Sequence, residues 1–183
     1  MLGEILSLIV STVAGFVGGV FLLRFWMQAV RVRPPGSLGE FTFQLTDWLV
    51  KPLRRVVPGV RGYDWASFIG AVLIAILAGM IGTLITGQFS ARMVLASSVG
   101  ILIQWIYYGL MGLILIDVAI SWINPYAPMA PFIRSLSDPI LRPLRRYIPL
   151  VGNIDLSPLI ALLLLNILML VTGRLLVDIF RWF

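Results

Sequence analysis

Two pairs of adjacent arginines are the side chains in this sequence best suited to bind anions. Each pair lies in a basic, proline-bounded stretch, and the two stretches read Lys51-Pro52-Leu53-Arg54-Arg55-Val56-Val57-Pro58 and Arg142-Pro143-Leu144-Arg145-Arg146-Tyr147-Ile148-Pro149. The arginines could set membrane topology, bind anionic lipid at about 1 kcal/mol per basic residue, or bind an acidic protein or nucleic acid. Topology alone does not require the same geometry twice, so we favour a structural role combined with binding of lipid phosphate.

The two stretches are copies of each other, separated by 91 residues. The same offset relates Asp47 to Asp138 and Asp64 to Asp155. A constant register across a basic core and two flanking acids indicates an internal duplication. We therefore predict two structural units, a first repeat of residues 1–88 and a second repeat of residues 89–183.

The composition is that of a membrane protein. Hydrophobic residues make up 60% of the chain and charged residues 12%, and the mean hydropathy is +1.00. There is no cysteine and no histidine, which removes thiol chemistry, disulfides, histidine bases and metal sites built on nitrogen or sulfur ligands. The acidic residues lie at the starts of spans or on loops rather than converging. We therefore expect no enzymatic activity, no cofactor and no metal site.

Four uncharged runs are long enough to cross a bilayer, which requires roughly 20 apolar residues. They cover residues 5–23, 65–85, 93–116 and 156–171. The sequence thus predicts an all-α integral membrane protein with four transmembrane helices, arranged as two tandem parallel helical hairpins. Most basic residues fall in the two long connections, so we expect both connections in the cytoplasm and both termini outside. Parallel repeats further suggest a pseudo-two-fold axis along the membrane normal.

Each long connection is predicted to contain amphipathic helices at the membrane interface. Apolar residues recur at helical spacing in two sets, Leu38, Phe41, Leu45, Trp48 and Leu49, and Met129, Phe132, Ile133, Leu136 and Ile140. Ser37 and Glu40 are spaced as a capping box. Asp138 is expected to cap a second, short helix with Pro139 at its first position. Pro52 and Pro143 should bend the chain before the arginines, and Pro58 and Pro149 should end the short helix.

Acidic residues mark the starts of the second and fourth spans. Asp64 and Asp155 are interpreted as helix N-caps, and Ser157 and Pro158 support this at the second of them. An alternative is that the arginine pairs fold back onto these two aspartates, which would fasten each connection to its span.

One charged residue lies near the cytoplasmic end of the first span and one near that of the third. These residues, Arg24 and Asp117, could be separate interfacial side chains, an ion pair joining the two spans, or part of a transport site. In the first span, Gly15 and Gly19 form a G-x-x-x-G motif typical of close helix packing. Such packing could occur within the chain or between protomers.

The repeated motif resembles that of the YggT (YlmG) family. The second repeat carries all of it, in Asp138-Pro139, Pro143, Arg145-Arg146, Pro149, Gly152, Asp155 and Ser157-Pro158. The first repeat keeps Asp47, Pro52, Arg54-Arg55, Pro58 and Asp64 but has Trp48, Arg61 and Ala66-Ser67 at the other positions. The resemblance implies a multi-pass protein of the bacterial inner membrane, with no established catalytic activity and a loose link to osmotic or ion homeostasis.

We therefore predict a non-catalytic membrane scaffold, or an assembly or homeostasis factor, with basic cytoplasmic loops that engage anionic lipid headgroups. A protein partner or a second copy of the chain is expected on the same side, and nucleic acid is disfavoured. The candidate binding residues are Lys51, Arg54, Arg55, Arg142, Arg145 and Arg146. The alternative function is a small oligomeric channel or transporter for ions or osmolytes.

Overall fold

The computed structural model describes residues 1–57, 59, 62–148 and 155–182. Six helices account for nearly all of them: α1 (Leu2–Ala29), α2 (Gly36–Val56), α3 (Trp65–Ile85), α4 (Ala91–Ile123), α5 (Ala130–Tyr147) and α6 (Ser157–Trp182). Helices α1, α3, α4 and α6 are long and apolar enough to cross a membrane. The described ranges contain no strand. The predicted all-α architecture with four spans is confirmed.

Each repeat consists of a span, an amphipathic helix and a second span, and the two repeats point the same way. The side chain of Trp26, near the end of α1, donates a hydrogen bond of 3.0 Å to the backbone carbonyl of Leu136 in α5. This bond joins the end of the first span of one repeat to the amphipathic helix of the other. At the opposite end of the molecule, Gly3 of α1 lies against Ile85 at the end of α3. Because the Trp26–Leu136 bond places the amphipathic helix of the second repeat at the end of α1 from which the first connection leaves, the hairpins are parallel.

A two-fold rotation axis does not relate the two hairpins. Helix α3 packs against α4, where a Cβ atom on Gly79 would lie 2.5 Å from Ser98 Oγ. Two-fold symmetry would require α6 to pack against α1 in the same way. In the described ranges α6 instead packs against α4 and α5 and makes no substantial contact with α1. The expected pseudo-two-fold relation is therefore wrong: α1, α3 and α4 contact one another, and α4 is the span on which α6 packs within the described residues.

The apolar core is divided between the repeats. One cluster in the first repeat contains Phe21 of α1 and Val50 of α2, and its counterpart in the second repeat contains Ile114 of α4 and Leu141 of α5. A third cluster joins the repeats through Met27, Phe132 and Leu136. Each amphipathic helix thus buries its apolar face against the spans of its own repeat, and α5 also packs against the end of α1.

Each connection contains one continuous amphipathic helix rather than two. Helix α5 includes Asp138, Pro139 and Pro143 in its interior, and α2 includes Pro52. Asp138 is therefore not a helix cap. Each proline removes only one backbone donor, and burial of the apolar face of the helix compensates for that loss. The predicted capping box is also wrong, since α2 begins at Gly36 without a side-chain cap. Pro58, Pro149 and Gly152 lie outside the described residues.

Helices α1 and α3 end in the same hydrogen-bonded turn, a Schellman motif. After α3, Gly87 adopts a φ of +69°, and the N–H of Gln88 bonds to the carbonyl of Thr83. After α1, Arg31 adopts a φ of +60°, and the N–H of Val32 bonds to the carbonyl of Met27. Glycine adopts this left-handed conformation without penalty, whereas a residue with a Cβ is destabilised by about 1 kcal/mol. We therefore expect the protein to be more stable with glycine than with arginine at position 31.

Candidate functional site: two ion-pair networks and a basic pocket

Arg24 is the centre of an ion-pair network in the first repeat. The side chain projects from the last turns of α1 and is only 5% exposed. Its Nη1 atom donates to Asp47 Oδ1 at 2.8 Å and also to the hydroxyl of Thr46. Its Nε atom lies 3.5 Å from Asp64 Oδ2 and makes no hydrogen bond with a residue that the structure describes. Arg24 thereby connects α1 to α2 and to the start of α3.

Asp64 receives a second arginine in the same network. Arg54 donates from Nε and Nη2 to the two carboxylate oxygens at 3.2 and 2.6 Å, and Ser67 Oγ donates at 2.6 Å. Asp64 precedes α3 at the N-cap position, but its side chain bonds this serine hydroxyl rather than a backbone N–H. Burial raises the pKa of Asp64, and the hydrogen bonds from Arg54 and Ser67 lower it further than burial raises it, so the pKa lies below its usual range.

Arg145 has the central position in the second repeat. Its Nε atom donates to Asp155 Oδ2 at 2.8 Å, and its Nη1 atom lies 3.4 Å from Asp138 Oδ1. Its Nη2 atom lies 3.7 Å from Asp117, which is 5% exposed and accepts a hydrogen bond of 2.9 Å from Ser137 Oγ. One guanidinium group therefore faces three carboxylates, drawn from α4, α5 and the residues before α6.

Asp155 is also held by the start of the last span. Its Oδ1 atom accepts a hydrogen bond of 2.9 Å from the backbone N–H of Ser157, the first residue of α6, which Pro158 follows. Burial raises the pKa of Asp155, but the hydrogen bonds from Arg145 and from Ser157 lower it below its usual range. The aspartate thus fastens the end of α5 to α6, as Asp64 fastens α2 to α3.

The structure separates the two charged residues that the sequence offered as a possible ion pair. Arg24 binds Asp47 and lies near Asp64, and Asp117 contacts Ser137 and Arg145. Each residue is neutralised within its own repeat, because the amphipathic helix of that repeat supplies the counter-charge close by. The ion pair between the first and third spans is therefore absent.

The candidate binding residues divide into an inward and an outward set. Arg54 and Arg145 turn inward to the aspartates, and Lys51 Nζ forms a 2.9 Å ion pair with Asp47. The outward set, Arg55, Arg142 and Arg146, is exposed and makes no ion pair with any residue that the structure describes. Only the outward set can present its full charge to a lipid or protein surface.

The sequence reasoning missed a basic pocket beside Arg24. We call this cavity of about 470 Å³ the Arg31 pocket; its lining is Arg24, Met27, Gln28, Arg31, Val32, Arg33, Pro34, Phe43 and Gly62. It lies between the end of α1, the connection to α2 and the face of α2. The signal in the sequence is Arg31 and Arg33 directly after a span, where the positive-inside rule is sufficient to account for basic residues.

The G-x-x-x-G motif packs partly within the chain. The indole ring of Trp105, in α4, covers Gly15 and Gly18 of α1, whereas no atom lies within 4 Å of the Cβ position of Gly19. Beside this contact is a cleft of about 600 Å³ between α1 and α4, which is also lined by Ala78, Gly82 and Ile85 of α3. Its polar lining residues include Ser7, Ser11, Thr12, Gln104 and Tyr108. Within the described ranges, no cluster of three or more His, Cys, Asp or Glu residues could hold a metal ion.

Comparisons with known proteins agree with this repeat architecture. The family model described as CCB3/YggT matches residues 3–85 and again residues 96–176. The Escherichia coli K12 protein YggT is 31% identical over 169 residues, covering 89% of this chain and 86% of the relative. The Pseudomonas aeruginosa protein PA0392 is 32% identical, covering 81% and 78%, and a Haemophilus influenzae protein is 30% identical, covering 87% and 86%. No solved structure matches the chain.

Proposed function

The chain belongs to the CCB3/YggT family of multi-pass membrane proteins, and on this premise we propose that it is a non-catalytic scaffold that binds anionic lipid and a protein partner on its cytoplasmic side. We assign it to the bacterial inner membrane, with both termini in the periplasm. The observation that carries the proposal is the division of the loop cations. Arg54 and Arg145 hold the fold together, and this leaves the exposed Arg55, Arg142 and Arg146 on helices that are fixed in place.

The networks support a scaffold because they make the basic surface rigid. In each repeat an aspartate before the second span binds an arginine from the preceding amphipathic helix. The exposed arginines therefore do not lie on flexible linkers, and their helical backbone loses little conformational entropy when they bind a surface. Basic residues held near a bilayer attract anionic headgroups by about 1 kcal/mol each. The positioning of charge, rather than a reaction, is the activity that this geometry favours.

The lipid part of the proposal is tested by measuring headgroup selectivity. The full chain is reconstituted in nanodiscs of phosphatidylglycerol and phosphatidylcholine, and the lipids retained after mild detergent extraction are counted by native mass spectrometry. We expect phosphatidylglycerol to be enriched, and the enrichment to fall in Arg142→Gln/Arg146→Gln. The matched control is Arg92→Gln/Arg174→Gln, which removes the same charge from the predicted outer side. Equal enrichment in both variants would limit the exposed arginines to setting topology.

The partner part of the proposal uses the same variants in cells. A protein that co-purifies with the wild-type chain in mild detergent should be lost from Arg142→Gln/Arg146→Gln and retained by the outer-side control. Retention by both variants would remove the basic face from partner binding.

The proposed orientation is tested with introduced cysteines, since the chain has none. Glu40→Cys and Tyr126→Cys place exposed thiols in the two long connections, and Gln88→Cys places one in the short middle connection. A membrane-impermeant maleimide added to intact spheroplasts should label only the last. Labelling of just one of the two long connections would contradict both the orientation and the scaffold.

A channel is the second candidate, and the cleft between α1 and α4 favours it. Polar side chains such as Ser11 and Gln104 line this cleft within two apolar spans, as expected where water or an ion enters a membrane protein. Proteoliposomes containing the purified chain should show no potassium flux above empty vesicles if the scaffold proposal is correct. Flux that is abolished by Gln104→Leu, with Tyr126→Phe as the exposed control, would establish the channel instead.

A further inference from the structure

The Arg31 pocket has the charge of an anion site. Three of its lining residues are arginines, and none of its lining residues is acidic. Arg24 is almost completely buried: its Nη1 atom is paired with Asp47, and its Nε atom lies 3.5 Å from Asp64 Oδ2, so this arginine forms the inner wall of the pocket. Arg31 and Arg33 are exposed at the mouth, and neither forms an ion pair with a described residue. Arg31 and Arg33 therefore offer N–H donors and positive charge to the pocket, and the two carboxylates that neutralise Arg24 lie outside its lining.

The backbone of Arg31 provides a second, independent indication. Arg31 ends α1 in the left-handed conformation, at a φ of +60°, where the equivalent turn after α3 has Gly87. The Arg31 guanidinium approaches Gly62, since a Cβ at that glycine would lie 3.9 Å from Arg31 Nη2, and Gly62 itself has a φ of +87°. Strained residues of this kind are found at ligand sites, where the side chain compensates for its unfavourable backbone.

The remaining lining residues indicate which anion the pocket accepts. Met27, Val32 and Phe43 give it an apolar side, and it opens where α1 leaves the predicted bilayer. A free inorganic phosphate would gain nothing from that apolar side, whereas a phospholipid presents a phosphate and an apolar glycerol ester stem together. We propose that the Arg31 pocket binds the phosphate of one anionic phospholipid, with the glycerol ester stem against Met27 and Phe43. This proposal deepens the proposed function and rests on it.

A neighbouring cavity fits this ligand less well. A cavity of about 600 Å³ beside α5 is lined by Arg142 and Arg146, but Asp138 lines it too. Its carboxylate would repel a phosphate within the same space, which a bound lipid headgroup must avoid. Arg142 and Arg146 are thus suited to diffuse attraction of lipid, and the Arg31 pocket to a single bound molecule.

The position of Arg31 allows a test in which binding and stability change in opposite directions. Arg31→Gly removes the guanidinium group and places the favoured residue in the left-handed turn, so the variant should fold at least as stably as the wild type. The full chain in an uncharged detergent is titrated with dioctanoyl phosphatidylglycerol by native mass spectrometry, and thermal unfolding is measured on the same samples. We expect about tenfold weaker binding of the first lipid, the change caused by losing one charged hydrogen bond, together with an unchanged or raised unfolding temperature.

Controls separate the pocket from general electrostatics and from free phosphate. Arg142→Gln/Arg146→Gln should bind the first lipid within about twofold of the wild type, even if it loses the enrichment measured in nanodiscs. Tenfold weakening in this control as well would overturn the pocket and leave the proposed function intact. Binding unchanged in both Arg31→Gly and Arg31→Gly/Arg33→Gln would also overturn it. Displacement of the lipid by an equal concentration of inorganic phosphate would overturn the lipid assignment.

Discussion

The two repeats use opposite charges at the same place in their first spans. In the first repeat a buried Arg24 is neutralised by two aspartates, and in the second a buried Asp117 is neutralised by Arg145. The amphipathic helix supplies a hydroxyl residue in each case, and Thr46 and Ser137 differ by the same offset of 91. A hydroxyl group can accept a bond from arginine or donate one to aspartate. The fold therefore has a buried and neutralised charged side chain at this place in each repeat, and a charge of either sign can occupy it.

The inversion leaves the networks unequal. Within the described residues the network of the first repeat contains three cations, Arg24, Lys51 and Arg54, and two aspartates, so its cations are in excess. The second sets Arg145 alone against three aspartates. The first network can lose one cation and remain paired, whereas the second cannot.

Removing the arginine that binds the aspartate before the second span should therefore harm the second repeat more. We expect Arg145→Met to lower the free energy of unfolding by about 3 kcal/mol, because Asp117 becomes a buried charge without a cation. Arg54→Met should cost about 1.5 kcal/mol, because Asp64 keeps Ser67 and the nearby Arg24. Denaturant unfolding of the purified chain in detergent measures both. Adding Asp117→Asn to Arg145→Met should recover part of the loss, and equal losses in the two single variants would contradict the inequality.

The apolar cores of the repeats differ by an exchange of size. In the first repeat the large ring of Phe21 packs against Gly70, where a Cβ atom would lie 2.5 Å from the ring. In the second repeat the same cluster contains Ile114 and Ala161. We expect Gly70→Ala to destabilise the fold by about 1–3 kcal/mol through overpacking, measured by thermal unfolding.

The combination Phe21→Ile/Gly70→Ala reproduces the pairing of the second repeat and should recover more than half of that loss. The control is Gly100→Ala, at a helical glycine with no atom within 4 Å of its Cβ position, which should be neutral or stabilising. Failure of the rescue would show that the two cores are not interchangeable.

Acid should weaken the ion pairs of the first repeat. The pKa of Asp64 is depressed in the folded protein, so its contribution is present above the pKa of an unfolded aspartate, about 3.9, and is lost as pH falls through the folded pKa. Asp47 behaves alike: burial raises its pKa, and hydrogen bonds from Arg24 and Lys51 lower it more. Unfolding temperatures between about pH 6 and pH 3 should thus fall with acidification. Arg54→Gln should flatten this decline and the neighbouring Arg55→Gln should not; identical slopes would argue against the Arg54–Asp64 pair.

The smallest expected effect compares equivalent residues of the two amphipathic helices. Lys51 is 75% exposed and pairs with Asp47 one turn earlier, whereas the equivalent Arg142 makes no such pair with Asp138. Lys51→Gln should cost about 0.3–0.5 kcal/mol at low salt, and Arg142→Gln should have no measurable effect on unfolding. A loss in Lys51→Gln that persists at high salt would mean that the lysine acts through packing rather than charge.

Much of the architecture follows from local pattern in the sequence. The uncharged runs predict the four spans, because lipid accepts only helices with few charges. The constant register of Asp64 and Asp155 predicts equal roles for them. The structure contains the ion pairs expected from the alternative in which the arginines fold back onto these aspartates. Arg54 and Asp64 are only ten residues apart along the chain, as are Arg145 and Asp155. A helix followed by a short connection is therefore enough to bring each pair together.

Relations between helices could not be obtained in that way. The sequence places Arg24 and Asp117 at equivalent ends of spans, but a charge there has several partners within reach, and only the packing of α2 and α5 selects them. The prediction of two helices in each connection is wrong because it places a helix start at Pro139 and bends at Pro52 and Pro143, although burial of an apolar face compensates for one missing donor.

The sequence by itself determined the membrane class, the duplication, the direction of the hairpins relative to each other and the positions of the cations, because these depend on composition, period and register. The tertiary structure alone decided which cations form ion pairs within the fold, which form none with a described residue, and that α6 packs against α4 rather than α1. It also assembled the Arg31 pocket from α1, α2 and Gly62. Such outcomes depend on side chains that meet across helices, where small differences in residue size and charge choose among arrangements that a linear pattern leaves equivalent.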